Sequence, residues 1–112
     1  MAYDYEFSNS AFEDLKDILR YIINDLANPI AAKNLSDNIR KTILLICEFP
    51  NACPLYKNRY WNKTVLRFKP VGKYLLFYKI DNKRQKVIVT RIIYGQRNID
   101  TMLDHLSDSG DK

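Results

Sequence analysis

The chain has 112 residues, 46% hydrophobic and 28% charged, which is room for one globular domain around one core. That length excludes a two-lobed enzyme with a cleft between domains, and three Gly and four Pro exclude a fibrous or low-complexity chain. The longest apolar run, Ile43-Leu44-Leu45-Ile46-Cys47, is far short of the ~18–20 residues that span a bilayer. No membrane partner is expected. The N-terminus, Met-Ala-Tyr-Asp-Tyr-Glu-Phe, has no basic start and no small-residue cleavage site, so nothing marks the chain for secretion.

Tyr3, Tyr5 and Phe7 alternate with Asp4 and Glu6, the pattern of a half-buried strand. Ser8 and Ser10 both offer helix caps, and Ser10-Ala11-Phe12-Glu13 reads as a capping box. Phe12, Leu15, Leu19, Ile22 and Leu26 follow as one apolar stripe, which predicts a helix over about 9–26. Asp14, Asp17, Arg20 and Asp25 fall off that stripe. Asn28-Pro29 reads as a cap followed by a first-turn proline. Ala32, Leu35, Ile39, Ile43 and Ile46 then predict a second helix to about Glu48, stopped by Phe49-Pro50. A turn this short makes the two helices an antiparallel hairpin.

Residues 50–63 show no period and read as a loop. Three strands are predicted next: Thr64–Lys69, Lys73–Ile80 and Lys86–Tyr94. Pro70-Val71-Gly72 is the first turn between them, and Asp81-Asn82-Lys83-Arg84-Gln85 is the hairpin loop. Gly95 breaks the last strand. Ile99, Met102, Leu103 and Leu106 suggest a short final helix, and 107–112 reads as a disordered tail. The expectation is an α+β domain over 1–106 in the order β-α-α-β-β-β-α. A helical hairpin covers one face of a small antiparallel sheet, with the first strand at an edge.

Charge is uneven along the chain. Residues 1–32 hold two basic and six acidic residues, net −4. Residues 33–97 hold fifteen basic and three acidic residues, net +12. The last fifteen residues are net −3. A positive central zone concentrates an anionic partner, of which nucleic acid is the commonest. The alternative is a solvated face. Aromatic residues share the zone, among them Tyr56, Tyr60, Trp61, Phe68, Tyr74, Phe77, Tyr78 and Tyr94. Basic residues interleaved with rings suit phosphate contact and base stacking, although some of these rings must be core.

Catalytic signatures are absent: no GxSxG, no P-loop, no GxGxxG, and a single histidine, His105. Cys47 and Cys53 are not CxxC and are expected to be reduced and structural. No metal and no cofactor is implied. What remains is positive charge on strands. Arg67 and Lys69 lie two apart and share a face. Lys73 starts the next strand, and Arg91 interrupts an apolar one. The reading is a concave basic surface opposite the helices, with Lys69, Lys73 and Arg91 as nucleic-acid contacts. Alternatively, Arg91 pairs with Asp81 or a C-terminal Asp. Cations on such a surface stabilise a phosphoryl transition state, and a Tyr or desolvated Lys moves a proton.

The ordered set Phe7-Ser8-xx-Ala11-xx-Asp14-Leu15-xx-Ile18-xx-Tyr21-Ile22, Asn28-Pro29-x-Ala31-Ala32-xx-Leu35 and Phe49-Pro50 resembles the RelE/ParE superfamily of bacterial toxins. So do Val71-Gly72-Lys73-Tyr74-Leu75-Leu76-Phe77-Tyr78-x-Ile80-Asp81 and Val87-x-Val89-x-Arg91-Ile92-Ile93-Tyr94-Gly95-Gln96-Arg97. The resemblance covers about residues 3–103. It implies a cytoplasmic, growth-arresting toxin of a type II toxin–antitoxin module, an addiction or plasmid-stabilisation system, neutralised by an antitoxin encoded beside it. RelE-like members cleave mRNA on the ribosome, the action expected here from Arg97 and the basic sheet; the alternative is that of ParE-like members, which poison DNA gyrase without catalysis of their own. The first kind of action implies Arg67, Tyr94 and Arg97 as catalytic residues, Arg97 matching a catalytic arginine of the ribonuclease branch. Tyr74-Leu75 stands where that branch carries an arginine on the middle strand.

Overall fold

The computed structural model of the chain describes residues 2–56 and 65–95. β1 spans Asp4–Phe7, and α1 spans Asn9–Arg20 and runs on into one π-helical turn at Tyr21–Asp25. α2 spans Pro29–Glu48. Four strands follow: β2 at Leu55–Tyr56, β3 at Leu66–Val71, β4 at Tyr74–Asp81 and β5 at Lys86–Tyr94. The sheet order is β1-β5-β4-β3-β2. The predicted final helix and tail lie outside the described residues. No described helix is long and apolar enough to cross a membrane.

The sheet is mixed, which corrects the antiparallel expectation. β1 runs parallel to β5, with Tyr5 beside Val87 and Phe7 beside Val89, while the other three pairs are antiparallel. Parallel pairing needs a long connection, and the helical hairpin with three strands supplies it. β2 was not anticipated: Leu55 and Tyr56 pair with Arg67 and Leu66 at the far edge. β3 also runs two residues further than expected, so the turn moves to Gly72-Lys73, where Gly72 takes φ +59°.

α1 is capped by Ser8 and not by Ser10. The Ser8 hydroxyl accepts the Ala11 N–H at 3.1 Å and donates to the Thr90 carbonyl at 3.0 Å, so one side chain caps the helix and fastens it to β5. The buried face of α1 is also turned from the predicted stripe. Phe12 and Leu26 are each 54% exposed, whereas Ala11 and Ile22 are buried and Leu15 and Ile18 pack against the core. Asp14 lies on this inner face. At the start of α2, Asn28 caps by accepting the Ala31 N–H, with Pro29 in the first turn as its sequence dictates. Ala32, Ile39, Ile43 and Ile46 are buried, joined by Cys47.

Asp14 explains the rotation. β1 ends at Phe7, which leaves the outer edge of β5 bare beyond Val89. Asp14 covers it. Its carboxylate accepts the Ile92 N–H at 3.0 Å and takes the Arg91 guanidinium through two bonds of 2.6 and 2.8 Å. A bulge sets this up: Tyr78 opposes Val89 but Phe77 opposes Arg91, so Thr90 is the extra residue. Arg91 therefore pairs with Asp14 and not with Asp81, and the C-terminal Asp residues lie outside the described residues. Asp81 instead holds Arg84 across the hairpin turn at 2.9 Å.

Two apolar clusters divide the sheet faces. Ala11, Ile39, Ile43 and Ile46 of the helices meet Leu76, Tyr78, Val87, Val89 and Ile92 of the sheet. On the other face Leu66, Phe77 and Ile93 are buried with Tyr56, Phe68 and Leu75 against them. Burial of these side chains stabilises each face by roughly 1.5–3 kcal/mol per large residue.

Removing Asp14 tests the edge closure. Asp14→Ala strands a strand N–H and a half-buried guanidinium together, so we expect a loss of about 2–3 kcal/mol, reduced from a fully buried pair by partial solvent access. Thermal melts should show a fall of roughly 8–12 °C. Arg91→Ala should cost less, because Asp14 keeps the Ile92 N–H.

Candidate functional site

Arg67 and Lys69 are the cations of β3, and their strand alternation decides where they face. Leu66 and Phe68 belong to the cluster away from the helices, and Val71 belongs to the cluster beneath them. Arg67 and Lys69 alternate with Leu66 and Phe68, so they share the helix-side face beyond the end of α2. The centre of the opposite face holds Leu66, Phe77 and Ile93. This corrects the expectation of a concave basic surface there. The apolar residues of a two-sided sheet need cover on both faces, and in this chain both faces have them.

Arg67 stands opposite Tyr78 on β4. Its Nη1 donates to the Cys53 carbonyl at 2.6 Å and to the Asn51 carbonyl at 3.3 Å. The Tyr78 hydroxyl donates to the Pro50 carbonyl at 2.8 Å. Phe49-Pro50 ends α2, and the chain that follows has carbonyls with no helical partner. Arg67 and Tyr78 satisfy three of them and so pin residues 50–53 against the sheet. Tyr78 has no exposed surface, and its phenol is pushed well up, first by burial and then by the Cys53 thiol beside it. It stays protonated and serves as a donor, not as a base. Burial, with the charge of Asp4, also raises the Cys47 thiol, and both cysteines are free.

Two cavities flank this pinned segment. One, of about 270 Å³, lies between the C-terminal turn of α2 and β3 and is apolar apart from Lys69. The other, of about 300 Å³, is lined by Asn51, Val65, Arg67, Ile80 and Asn82. Arg67 thus has one nitrogen engaged in structure while its side chain borders a mixed polar cavity.

A second group forms at the far end of the sheet. Tyr94 and Tyr74 oppose each other on β5 and β4, with rings edge to face and centroids 5.6 Å apart. The Gly95 N–H donates to the Lys73 carbonyl at 2.8 Å and closes the strand pair. A Cβ on Gly95 would sit 3.2 Å from that carbonyl oxygen. The Tyr74 phenol is held up by burial, then by Tyr94 and by Tyr21 from the π-helical turn. Tyr94 and Lys73 are therefore neighbours at one end, and Arg67 and Lys69 share a face of β3. Arg91 is committed to Asp14, and Arg97 lies outside the described residues. The roles of Asp14 and Tyr78 were not expected from the sequence, where both stood as members of the resembling pattern; the one local signal for Asp14 was a helix face shared with Ala11 and Ile18.

This fold has known counterparts. The family model for ParE toxins of type II toxin–antitoxin systems, parDE, matches residues 5–99. The chain belongs to the ParE toxin family. Among solved structures, this ParE-family chain is similar to a chromosomal ParDE toxin–antitoxin system from P. aeruginosa, at TM-score 0.63 and 13% identity over 83% of this chain and 96% of that one. It is similar to the RelE–RelB complex of the archaeon Pyrococcus horikoshii, at TM-score 0.53 and 12% identity over 87% of this chain and 99% of that one. The RelBE2 toxin–antitoxin complex of Mycobacterium tuberculosis has TM-score 0.50 and 18% identity, over 84% of this chain and 99% of that one. At these identities the likeness shows the fold alone. No curated protein is a significant match by sequence.

The pinning of residues 50–53 separates two roles for Arg67. As a tether, Arg67→Ala frees two carbonyls and should cost about 1–2 kcal/mol, a melting shift of roughly 4–8 °C. Tyr78→Phe should cost a similar amount through the Pro50 carbonyl. A melt of Arg67→Ala that matches the wild type would show that the guanidinium is not structural.

Proposed function

We propose that this ParE-family toxin arrests growth by binding DNA gyrase, without catalysis of its own, and that a cognate antitoxin holds it inactive in the cytoplasm. One observation carries this reading: the described sheet cations do not converge on a catalytic centre. Cleavage of RNA through its 2′-OH needs a proton acceptor, a proton donor and cations around one phosphate. Arg91 is bonded to Asp14, and an Nη1 of Arg67 is bonded to two carbonyls. Lys73 stands at the turn before β4, at the Tyr94 end of the sheet. Tyr74 occupies the strand position where the ribonuclease branch has an arginine, and its phenol is harder to ionise than a free one. Match to the ParE family model supports the same reading. The antitoxin is supported by the similarity to ParDE and RelBE complexes.

Ribosome-dependent mRNA cleavage is the second reading. Arg97 favours it, at the position of a catalytic arginine in the ribonuclease branch, with Arg67 bordering the mixed cavity.

Induction of the chain in bacteria separates the two. Gyrase poisoning should give filamentous cells with broken DNA while protein synthesis continues at first. In a purified supercoiling assay the chain should inhibit DNA gyrase. Arg97→Lys should retain most of the effect, because a binding contact tolerates a lone ammonium better than a bidentate catalytic role does. An immediate stop of translation, with mRNA cut on ribosomes and roughly 10²–10³-fold loss in Arg97→Ala, would establish the ribonuclease reading instead.

A further inference from the structure

The C-terminal turn of α2 leaves two bulky apolar side chains in water beside a cavity. Leu45 is 53% exposed and Phe49 is 60% exposed. They lie four residues apart on one helix face, and both line the cavity of about 270 Å³ whose opposite wall is Phe68, Lys69 and Pro70 of β3, with Cys53 at one end. Scattered exposed apolar residues need no explanation, but exposed apolar residues that line a preformed groove mark a contact site. The groove is too small for a dinucleotide or other large cofactor and suits a few side chains of a partner.

The wall also fixes the chemistry of the occupant. None of the nine lining residues is acidic, and Lys69 is the one cation among them. Arg67 sits behind Cys53, bonded to its carbonyl, and Lys41 lies one helical turn before Leu45. The groove is apolar with a positive border, the complement of apolar side chains flanked by carboxylates. The backbone narrows the choice further. The Phe68 N–H points outward from β3, to the Pro54 carbonyl. Pro70, two residues on, faces the same way and has no N–H to give. A strand cannot extend the sheet there, so the occupant inserts side chains instead.

We propose that the groove between α2 and β3 is where the antitoxin docks, through an amphipathic acidic helix that places a large apolar residue between Phe49 and Pro70 and a carboxylate on Lys69. This rests on the toxin–antitoxin reading but not on which cellular target the toxin has. The occupant is the antitoxin and not the target, because an acidic segment also offsets the positive zone that the free toxin carries.

The test uses the full chain and the protein encoded by the open reading frame beside it. Binding is titrated for wild type, Leu45→Asp, Phe49→Asp and Lys69→Glu, with Ile30→Asp as control. Ile30 is 72% exposed at the other end of α2 and does not line the groove. Both apolar variants replace exposed side chains, and thermal melts confirm that each still folds. We expect Phe49→Asp and Leu45→Asp to weaken binding by roughly 30-fold or more, as loss of a central anchor does. Lys69→Glu should weaken binding and flatten its salt dependence. Ile30→Asp should bind as wild type. In cells, Leu45→Asp and Phe49→Asp should still arrest growth but resist rescue by the antitoxin. Wild-type binding and rescue of the groove variants would overturn the proposal, as would equal weakening by Ile30→Asp or failure of the neighbour's product to bind the wild type. Loss of arrest with unchanged antitoxin binding would assign the groove to the target and also overturn it. A wild type that does not arrest growth, yet binds as described and loses binding in the groove variants, would refute the proposed function and leave the docking site standing.

Discussion

One carboxylate, Asp14, decides how the helical layer meets the sheet. β1 is only four residues long and stops before β5 does, so the outer edge of β5 needs an acceptor for the Ile92 N–H. An exposed strand edge is otherwise a template for unwanted pairing. Asp14 fills that place, and Arg91 meets the same carboxylate through two bonds. The arrangement requires the Thr90 bulge, which shifts register so that Ile92 packs toward the helices while Arg91 opposes Phe77. Ser8 adds a second fastening at the start of the same helix. Together they set the rotation of α1 and so determine which of its apolar residues reach solvent.

The same contact changes the meaning of the charge distribution. The acidic first third and the basic middle of the chain partly cancel inside the fold. Glu6 on β1 lies 3.3 Å from Arg84 and 3.7 Å from Lys86, and Asp14 takes Arg91. These cations belong to the attachment of β1 and α1 to β5. Exposed pairs such as Glu6 with Arg84 contribute little stability, about 0–1 kcal/mol, whereas the half-buried Asp14 pair is also an edge closure and matters more. Charge left over for a partner is therefore smaller and more localised than the sequence total, and Lys69 at the groove is part of it.

Residues 50–53 link the core to the surface where a partner would bind. α2 must stop at Phe49-Pro50, and the carbonyls that follow find Arg67 and Tyr78 on the sheet. Because those two side chains are opposed in adjacent strands, the segment is held by a rigid surface. The groove wall is thus preorganised, which lowers the ordering cost of binding. Arg67 tethers this segment through one nitrogen, while the rest of its side chain borders the mixed cavity.

The order of the described elements apart from β2, the cap at Asn28 with Pro29, the buried face of α2 and the limits of β5 follow from the sequence by itself. These features rest on local chemistry: a missing proline N–H, an unbroken period of 3.6, and a β-branched run bounded by a turn and a glycine. The family resemblance was legible too, because its residues recur in a fixed order. What only the tertiary structure decided depends on residues distant in the chain. The parallel pairing of β1 with β5, the cap at Ser8 in place of Ser10, and the turn of α1 that buries Ala11 and exposes Phe12 all follow from contacts with β5 about 80 residues away. The fates of Arg67 and Arg91 belong to the same class. A side chain's residue type shows that it needs an acceptor, but whether that acceptor is a phosphate, a carbonyl or Asp14 depends on which strands and helices the fold brings beside it.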